Sequence, residues 1–177
     1  MLAELLLVAA LAGMPVPDGE AVLINGLMGK AEWRNSGELK LDDDTILRFH
    51  ATPRYLFVAV VFHGPKHTGI DLHLHSRGAT RMLHVSSALG EKTQVGGTWS
   101  DYAWGENTWW TANGIGSIWD GSKSVSLKPQ GFEFQIDRRE LGPEVALYIR
   151  QKRPAKTLPA GATEDAVNKW VRLTLGK

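Results

Sequence analysis

Cysteine is absent from the 177 residues. That excludes thiol catalysis, iron–sulfur ligation and any cysteine zinc site. An excess of one charge is missing too. Lys+Arg number 20 against 19 Asp+Glu, a net charge of +1. There is no basic surplus for a phosphate backbone, so nucleic acid is disfavoured as a partner. No apolar run is long enough to cross a bilayer, so no transmembrane segment is expected. A sustained helical pattern is missing as well. So are the common enzyme fingerprints: Gly-x-Ser-x-Gly, a phosphate-binding Walker loop, His-Glu-x-x-His and a dinucleotide motif.

What remains is an ordinary globular composition, 43% hydrophobic and 22% charged. The length is that of one domain. A domain of this size buries roughly 70% of its unfolded surface, which suffices for a core without disulfides or a structural metal. The N-terminus carries a short apolar stretch, Leu5 to Ala12, and Ala10-Leu11-Ala12 fits a small-x-small cleavage site. Glu4 and the lack of Lys or Arg make it a degenerate export signal. A first strand or a short amphipathic helix is the other reading. Residues 1–19 are thus expected to be an export segment and linker, ending in Pro15-Val16-Pro17-Asp18-Gly19, with the domain at 20–177. The export reading carries an extracytoplasmic location, periplasmic or secreted.

Short alternating segments fill the domain. Thr45 to His50 places Leu47 and Phe49 on one face. Tyr55 to His63 is almost continuously apolar and rich in β-branched and aromatic residues, which predicts a central strand. Ile70, Leu72 and Leu74 alternate with Asp71, His73 and His75. Arg77-Gly78 then turns the chain into a hairpin partner, Arg81 to Ser86. Phe132, Phe134 and Ile136 alternate with Glu133, Gln135 and Asp137, and Val145, Leu147 and Ile149 repeat the pattern. Helical turns are expected near Gly29–Ser36 and Arg138–Leu141, and a loop over Pro154–Ala162. Eight to ten strands with a turn signal about every ten residues predict an all-β sandwich or barrel, of which an antiparallel β-sandwich with immunoglobulin-like layers is the expected form.

Five of the seven tryptophans lie between Trp99 and Trp119, among glycines and asparagines. The stretch is either core or a platform for a flat ligand. An indole matches the apolar face of a sugar ring, and neighbouring polar groups would pair the hydroxyls. The candidate ligand-binding residues are Trp99, Trp104, Trp109, Trp110, Asn107 and Asn113. Flanking glycines and asparagines single out Trp104 and Trp109 as the exposed pair. Trp109 and Trp110 point to opposite faces if they lie in a strand. Trp119, following Ile115 and Ile118, reads as core.

The order of several short motifs resembles a known family. Ile24-Asn25-Gly26 followed by Glu32-Trp33 is similar to its opening. Thr45-Ile46-Leu47-Arg48-Phe49, Tyr55-Leu56-Phe57-Val58-Ala59-Val60, Ile70-Asp71-Leu72-His73-Leu74 and Phe132-Glu133-Phe134-Gln135-Ile136-Asp137 resemble its later strands. Together they resemble carbohydrate-binding module family nine and the wider DOMON-like sandwiches, over Glu20 to Leu175. Asp137 stands where the family has proline, and His73 where it has an acidic residue. The resemblance implies a β-sandwich whose relatives bind sugars or, in some branches, haem, and it implies no catalytic activity.

Metal chemistry has three candidate sets. His73 and His75 sit on one strand face at a spacing compatible with one ion, zinc for example. Asp71 is a third possible ligand and His84 faces them from the partner strand; a solvated polar face is the alternative. Asp42-Asp43-Asp44 offers calcium oxygens or a tight turn, without the spacing of a dedicated calcium loop. Met28, Met82 and His84 are the available haem ligands, but Met82 and His84 share a face and cannot bind opposite sides of one haem. Glu133 and Asp137 lie roughly 13 Å apart along a strand, more than paired glycosidase carboxylates require. The leading expectation is therefore a non-catalytic saccharide-binding module with no obligatory cofactor. The alternative is a structural domain whose tryptophans are buried or docked on a partner protein.

Overall fold

The computed structural model describes residues 13–29, 31–63, 69–105, 108–114, 117–119, 121–126, 131–152 and 155–176. Its elements are almost all strands. In chain order they are β1 (Met14–Pro15), β2 (Gly37–Lys40), β3 (Thr45–Ala51), β4 (Tyr55–Phe62), β5 (Ile70–Ser76), β6 (Ala79–Val85), β7 (Leu89–Val95) and β8 (Thr98–Trp99). They continue with β9 (Ala103–Trp104), β10 (Trp110–Asn113), β11 (Ser117–Trp119), β12 (Ser124–Ser126), β13 (Gly131–Asp137), β14 (Glu144–Gln151), β15 (Lys156–Leu158) and β16 (Val171–Thr174). Two single-turn 3₁₀ helices, Arg138–Glu140 and Val167–Lys169, precede β14 and β16. No helix among the described residues is long and apolar enough to cross a membrane.

The strands form a two-layer sandwich. One sheet runs β1-β16-β14-β5-β6-β7-β8, with β15 added to β14 and β9 to β7; the other runs β10-β13-β4-β3-β2. A small β11–β12 ribbon stands apart. Among the described residues the strand pairings are antiparallel except β1 on β16, and the isolated Asp18–Ala51 bridge is parallel too. Strand periodicity explains the layers. Ile70, Leu72 and Leu74 of β5, Leu83 and Val85 of β6, and Val145, Leu147 and Ile149 of β14 all point inward. They meet Leu47 and Phe49 of β3, Val58 and Val60 of β4, and Phe132, Phe134 and Ile136 of β13 in one core.

Strand β4 is apolar on both faces because both are covered. Its second face, Phe57, Ala59 and Val61, packs under Val22, Met28 and Trp33. This cover is pinned by Glu133, whose carboxylate accepts from the Gly26 amide at 2.8 Å, the Asn25 amide at 3.2 Å and Trp33 Nε1 at 3.1 Å. The Asn25-Gly26, Trp33 and Glu133 motif residues thus hold a loop onto a sheet.

Several expectations are revised. Residues 21–24 form no strand, and 31–35 make turns rather than a helix. The sandwich begins ahead of the expected boundary at 20. Met14 and Pro15 pair with Leu173 and Thr174, and Asp18 bridges to Ala51. Strand β15 occupies part of the expected Pro154–Ala162 loop. Strand β7 was not anticipated, because Gly90, Glu91, Lys92 and Gln94 interrupt any apolar alternation. Residues 1–12, and with them the export-signal reading, lie outside the described residues.

Candidate functional site

The outer face of the larger sheet gathers most of the chemistry. Register sets it in rows. Arg150, Asp71, His84, Gly90 and Trp104 are successive cross-strand neighbours on β14, β5, β6, β7 and β9. Tyr148, His73, Met82 and Lys92 form the next row. The third, Arg172, Ala146, His75, Thr80 and Gln94, ends at Trp99 on β8.

Among the described residues Trp104 is the exposed aromatic, with 60% of its surface open. Its indole stacks on Tyr102 with ring centres 4.6 Å apart and planes 17° from parallel. The benzo side rests on Gly90, where a Cβ would come within 2.7 Å of Cε3. His84 meets the indole edge-on at 5.9 Å. Tyr102 is fixed in turn by the Lys92 ammonium, 4.5 Å from its ring centre. Trp104 also lines a groove of about 610 Å³, with Leu89, Gly105, Thr108, Trp110 and Thr111. Thr108 and Thr111 are exposed and line it.

The other tryptophans divide differently from expectation. Trp110 is buried, stacks on Phe134 and donates Nε1–H to Glu91 Oε2 at 2.6 Å; it forms the groove's inner wall as part of the core. The pairing of β10 with β13 drives Trp110 between the layers, so it packs on the core and lines the groove from inside. Trp109 is half-buried against the same core, and the Arg81 guanidinium lies 4.5 Å over its ring. Trp109 and Trp110 therefore do not split cleanly between core and solvent, and the ring stacked on Trp104 is Tyr102. Trp99 is half-buried, edge-on to His73 at 6.0 Å. Asn113 is half-buried at the end of β10, on an adjoining depression with Ser86 and Leu89. Asn107 lies outside the described residues, and the Trp119 side chain is not among those described.

Beneath this layer runs a polar network. Asp71, fully buried, accepts from His84 Nδ1 at 2.6 Å and from Arg150 at 2.9 and 3.2 Å; Arg150 reaches Glu164 at 2.5 Å. Burial alone would raise the Asp71 pKa. The hydrogen bonds from His84 and Arg150 outweigh it and hold the carboxyl below its ordinary range. With Nδ1–H given to Asp71, His84 Nε2 accepts the Ser86 hydroxyl at 2.9 Å. The Ser86–His84–Asp71 connectivity is that of a hydrolytic relay. Its setting is not. Arg150 draws on the same carboxylate, and the nearby amides of Ser86 and Ala88 are engaged within the turn, so neither is free for an oxyanion.

The expected metal set is not assembled. Among the described residues no group of three or more His, Asp or Glu side chains converges as metal ligands. Asp71 is committed as above, and His75 Nδ1 pairs with Thr80 Oγ1 at 2.9 Å. His73 is fully buried among Trp99, Tyr148 and Trp170, with neither ring nitrogen hydrogen-bonded. Burial pushes its imidazole down to about 4; the Asp71 carboxylate works against that shift and Arg150 with it. The aspartates at 42–44 serve their turn: Asp42 accepts from the Asp44 amide and pairs with Lys156, and Asp43 pairs with Lys40. Met28 covers the smaller sheet while Met82 lies on the larger one, so no haem-ligand pair forms between them.

Sequence reasoning did not single out Tyr102, Gly90, Arg150 or Trp170. The stacked partner two residues before Trp104 was the available signal for Tyr102. The others depend on long-range pairing.

Fold and site together define an antiparallel β-sandwich domain with an aromatic outer face. No protein-family model matches the chain, and no curated protein matches it. Among solved structures it is similar to a carbohydrate binding module family 9 from Caldicellulosiruptor kristjanssonii in complex with cellotriose. The TM-score is 0.49 and the identity 11%, with 92% of each chain covered. At that distance the site is read from its own geometry.

Proposed function

We propose that the chain is a non-catalytic saccharide-binding domain whose ligand stacks on Trp104. The observation that supports it is the exposure of this one indole, backed by Tyr102 and fronting a groove of about 610 Å³. A fixed aromatic surface offers contact area at little entropic cost, because few rotors are frozen on binding. The C–H face of a pyranose covers the free side of the indole. The exposed Thr108 and Thr111 hydroxyls and the Gly105 backbone carbonyl pair the ring hydroxyls. The sequence resemblance to family nine and DOMON-like sandwiches implies the same class of ligand.

Calorimetric titration with a panel of neutral oligosaccharides tests the reading. Trp104→Ala is expected to weaken binding by about 2 kcal/mol or more, the scale of an aromatic hot spot. Trp109→Ala is expected to keep the affinity, since Arg81 covers that ring. If no saccharide binds, or if Trp104→Ala binds as tightly as the unaltered chain, the reading fails.

A further inference from the structure

A second depression lies on the same sheet face, toward its other edge. It holds about 420 Å³ and is lined by residues of β5, β14 and β16 and by Val167 and Pro143. Its shape follows from register. His75, Ala146 and Arg172 are direct neighbours on β5, β14 and β16. Leu74, Leu147 and Val171 turn inward to the core, so these three turn outward. The small Ala146 makes a floor between two long nitrogen-bearing side chains. Arg77, at the turn after β5, closes one end.

The charges here are not internally matched. Arg172 Nε is buried without a hydrogen-bond partner, and no ion pair reaches Arg172 among the described residues. Arg48 is the contrasting case, its Nε lying 2.7 Å from Glu38 Oε1. Arg77 donates one Nη1–H to the Arg139 carbonyl and keeps the rest of its fork. His75, on the lining, engages Thr80 through Nδ1. Glu144 is the carboxylate on the lining; it is exposed and forms no ion pair with Arg172 among the described residues. A guanidinium with a buried, unpaired N–H is costly unless an acceptor arrives.

We propose that this depression is an oxyanion-binding site, taking a small ligand that carries a carboxylate or sulfate group. The planar fork of Arg172 receives the anion's oxygens, with Arg77 and His75 beside it. Val167, Pro143 and Ala146 accept the ligand's apolar part. The site stands apart from Trp104, across β5, β6 and β7, at ~20 Å by strand spacing. It does not depend on the saccharide reading of that groove.

The test is a ¹H–¹⁵N spectrum of the arginine-labelled full chain, titrated at constant ionic strength with sodium glucuronate, sodium sulfate or glucose. The Arg172 Nε–H resonance is expected to shift saturably with glucuronate, sulfate or both, and not with glucose. Glucuronate alone identifies a carboxylate-bearing sugar; sulfate alone identifies a tetrahedral anion. Arg172→Gln is expected to weaken binding roughly 10- to 100-fold, while Trp104→Ala leaves it unchanged. The proposal is overturned if neither anion moves the resonance, or if Arg172→Gln binds as the unaltered chain does. The titration of the unaltered chain decides on its own if Arg172→Gln does not fold.

Discussion

Gly90 and Trp104 act as one unit. The indole rests where Gly90 has no side chain, and a Cβ there would come within 2.8 Å of two ring carbons. Gly90→Val is therefore expected to lift Trp104 off Tyr102 and cut saccharide affinity at least about tenfold, as for a displaced hot spot. Because Trp104 is exposed and can swing away, the cost in stability should stay near about 1 kcal/mol. Parallel denaturant melts and binding titrations check both halves. A stability loss of several kcal/mol with unchanged binding would contradict this arrangement. Asp137 is another residue whose role only its neighbours reveal. It caps the 3₁₀ turn through the Arg139 amide at 2.9 Å, and the Arg139 guanidinium forks onto it and holds its carboxyl down to about 2.

At the level of elements, the cover over β4 rests on β13. Glu133 collects three N–H donors from a segment 100 to 108 residues earlier. Burial raises its pKa, and the Gly26, Trp33 and Asn25 donors pull it back only in part. Glu133→Ala would leave three donors without their acceptor. About 3 kcal/mol or more of stability should be lost, at 1–3 kcal/mol for each unsatisfied buried group. Guanidinium melts followed by Trp33 fluorescence measure it; an unchanged midpoint would remove Glu133 from this role. The alternation of Phe132, Phe134 and Ile136 made β13 readable in the sequence, as the unbroken apolar run made β4 readable. Strand β7 was not readable. Its outer face is shielded by Tyr102 and Trp104, which the chain supplies later, so its own residues need not be apolar.

For the molecule as a whole, the larger sheet carries a buried imidazole that resists protonation. The His73 pKa is depressed to about 4. The unfolded chain takes up that proton near 6.5 and the folded chain does not. Its contribution is therefore complete above pH 6.5 and is lost as pH falls toward 4, by about 3 kcal/mol. Burial lowers His50 too, which acts in the same direction. Asp71, held below its ordinary value, adds a further loss only as pH falls below 3.8. Denaturant midpoints at pH 7 and pH 4.5 should differ accordingly. His73→Phe should flatten that slope without lowering stability at pH 7, because the ring sits among aromatics with no hydrogen bond to lose. A slope unchanged in this variant would place the acid sensitivity elsewhere.

The sequence by itself determined the class of fold and the alternating strand residues of the core. Period-two alternation, β-branched runs and turn residues are local signals, and each acts through its immediate neighbours along the chain. It also marked the stretch around Trp104. Which indole is open, that Trp110 is core, and that Tyr102 backs Trp104 were decided by tertiary structure. So was the engagement of Asp71 by His84 and Arg150, and the gathering of Arg172, His75 and Arg77 around Ala146. These outcomes depend on strand register between segments as far apart as Asp71 and Arg150, 79 residues along the chain. Burial, charge and hydrogen bonding are set there by what lies across the sheet and not by what lies next in the chain.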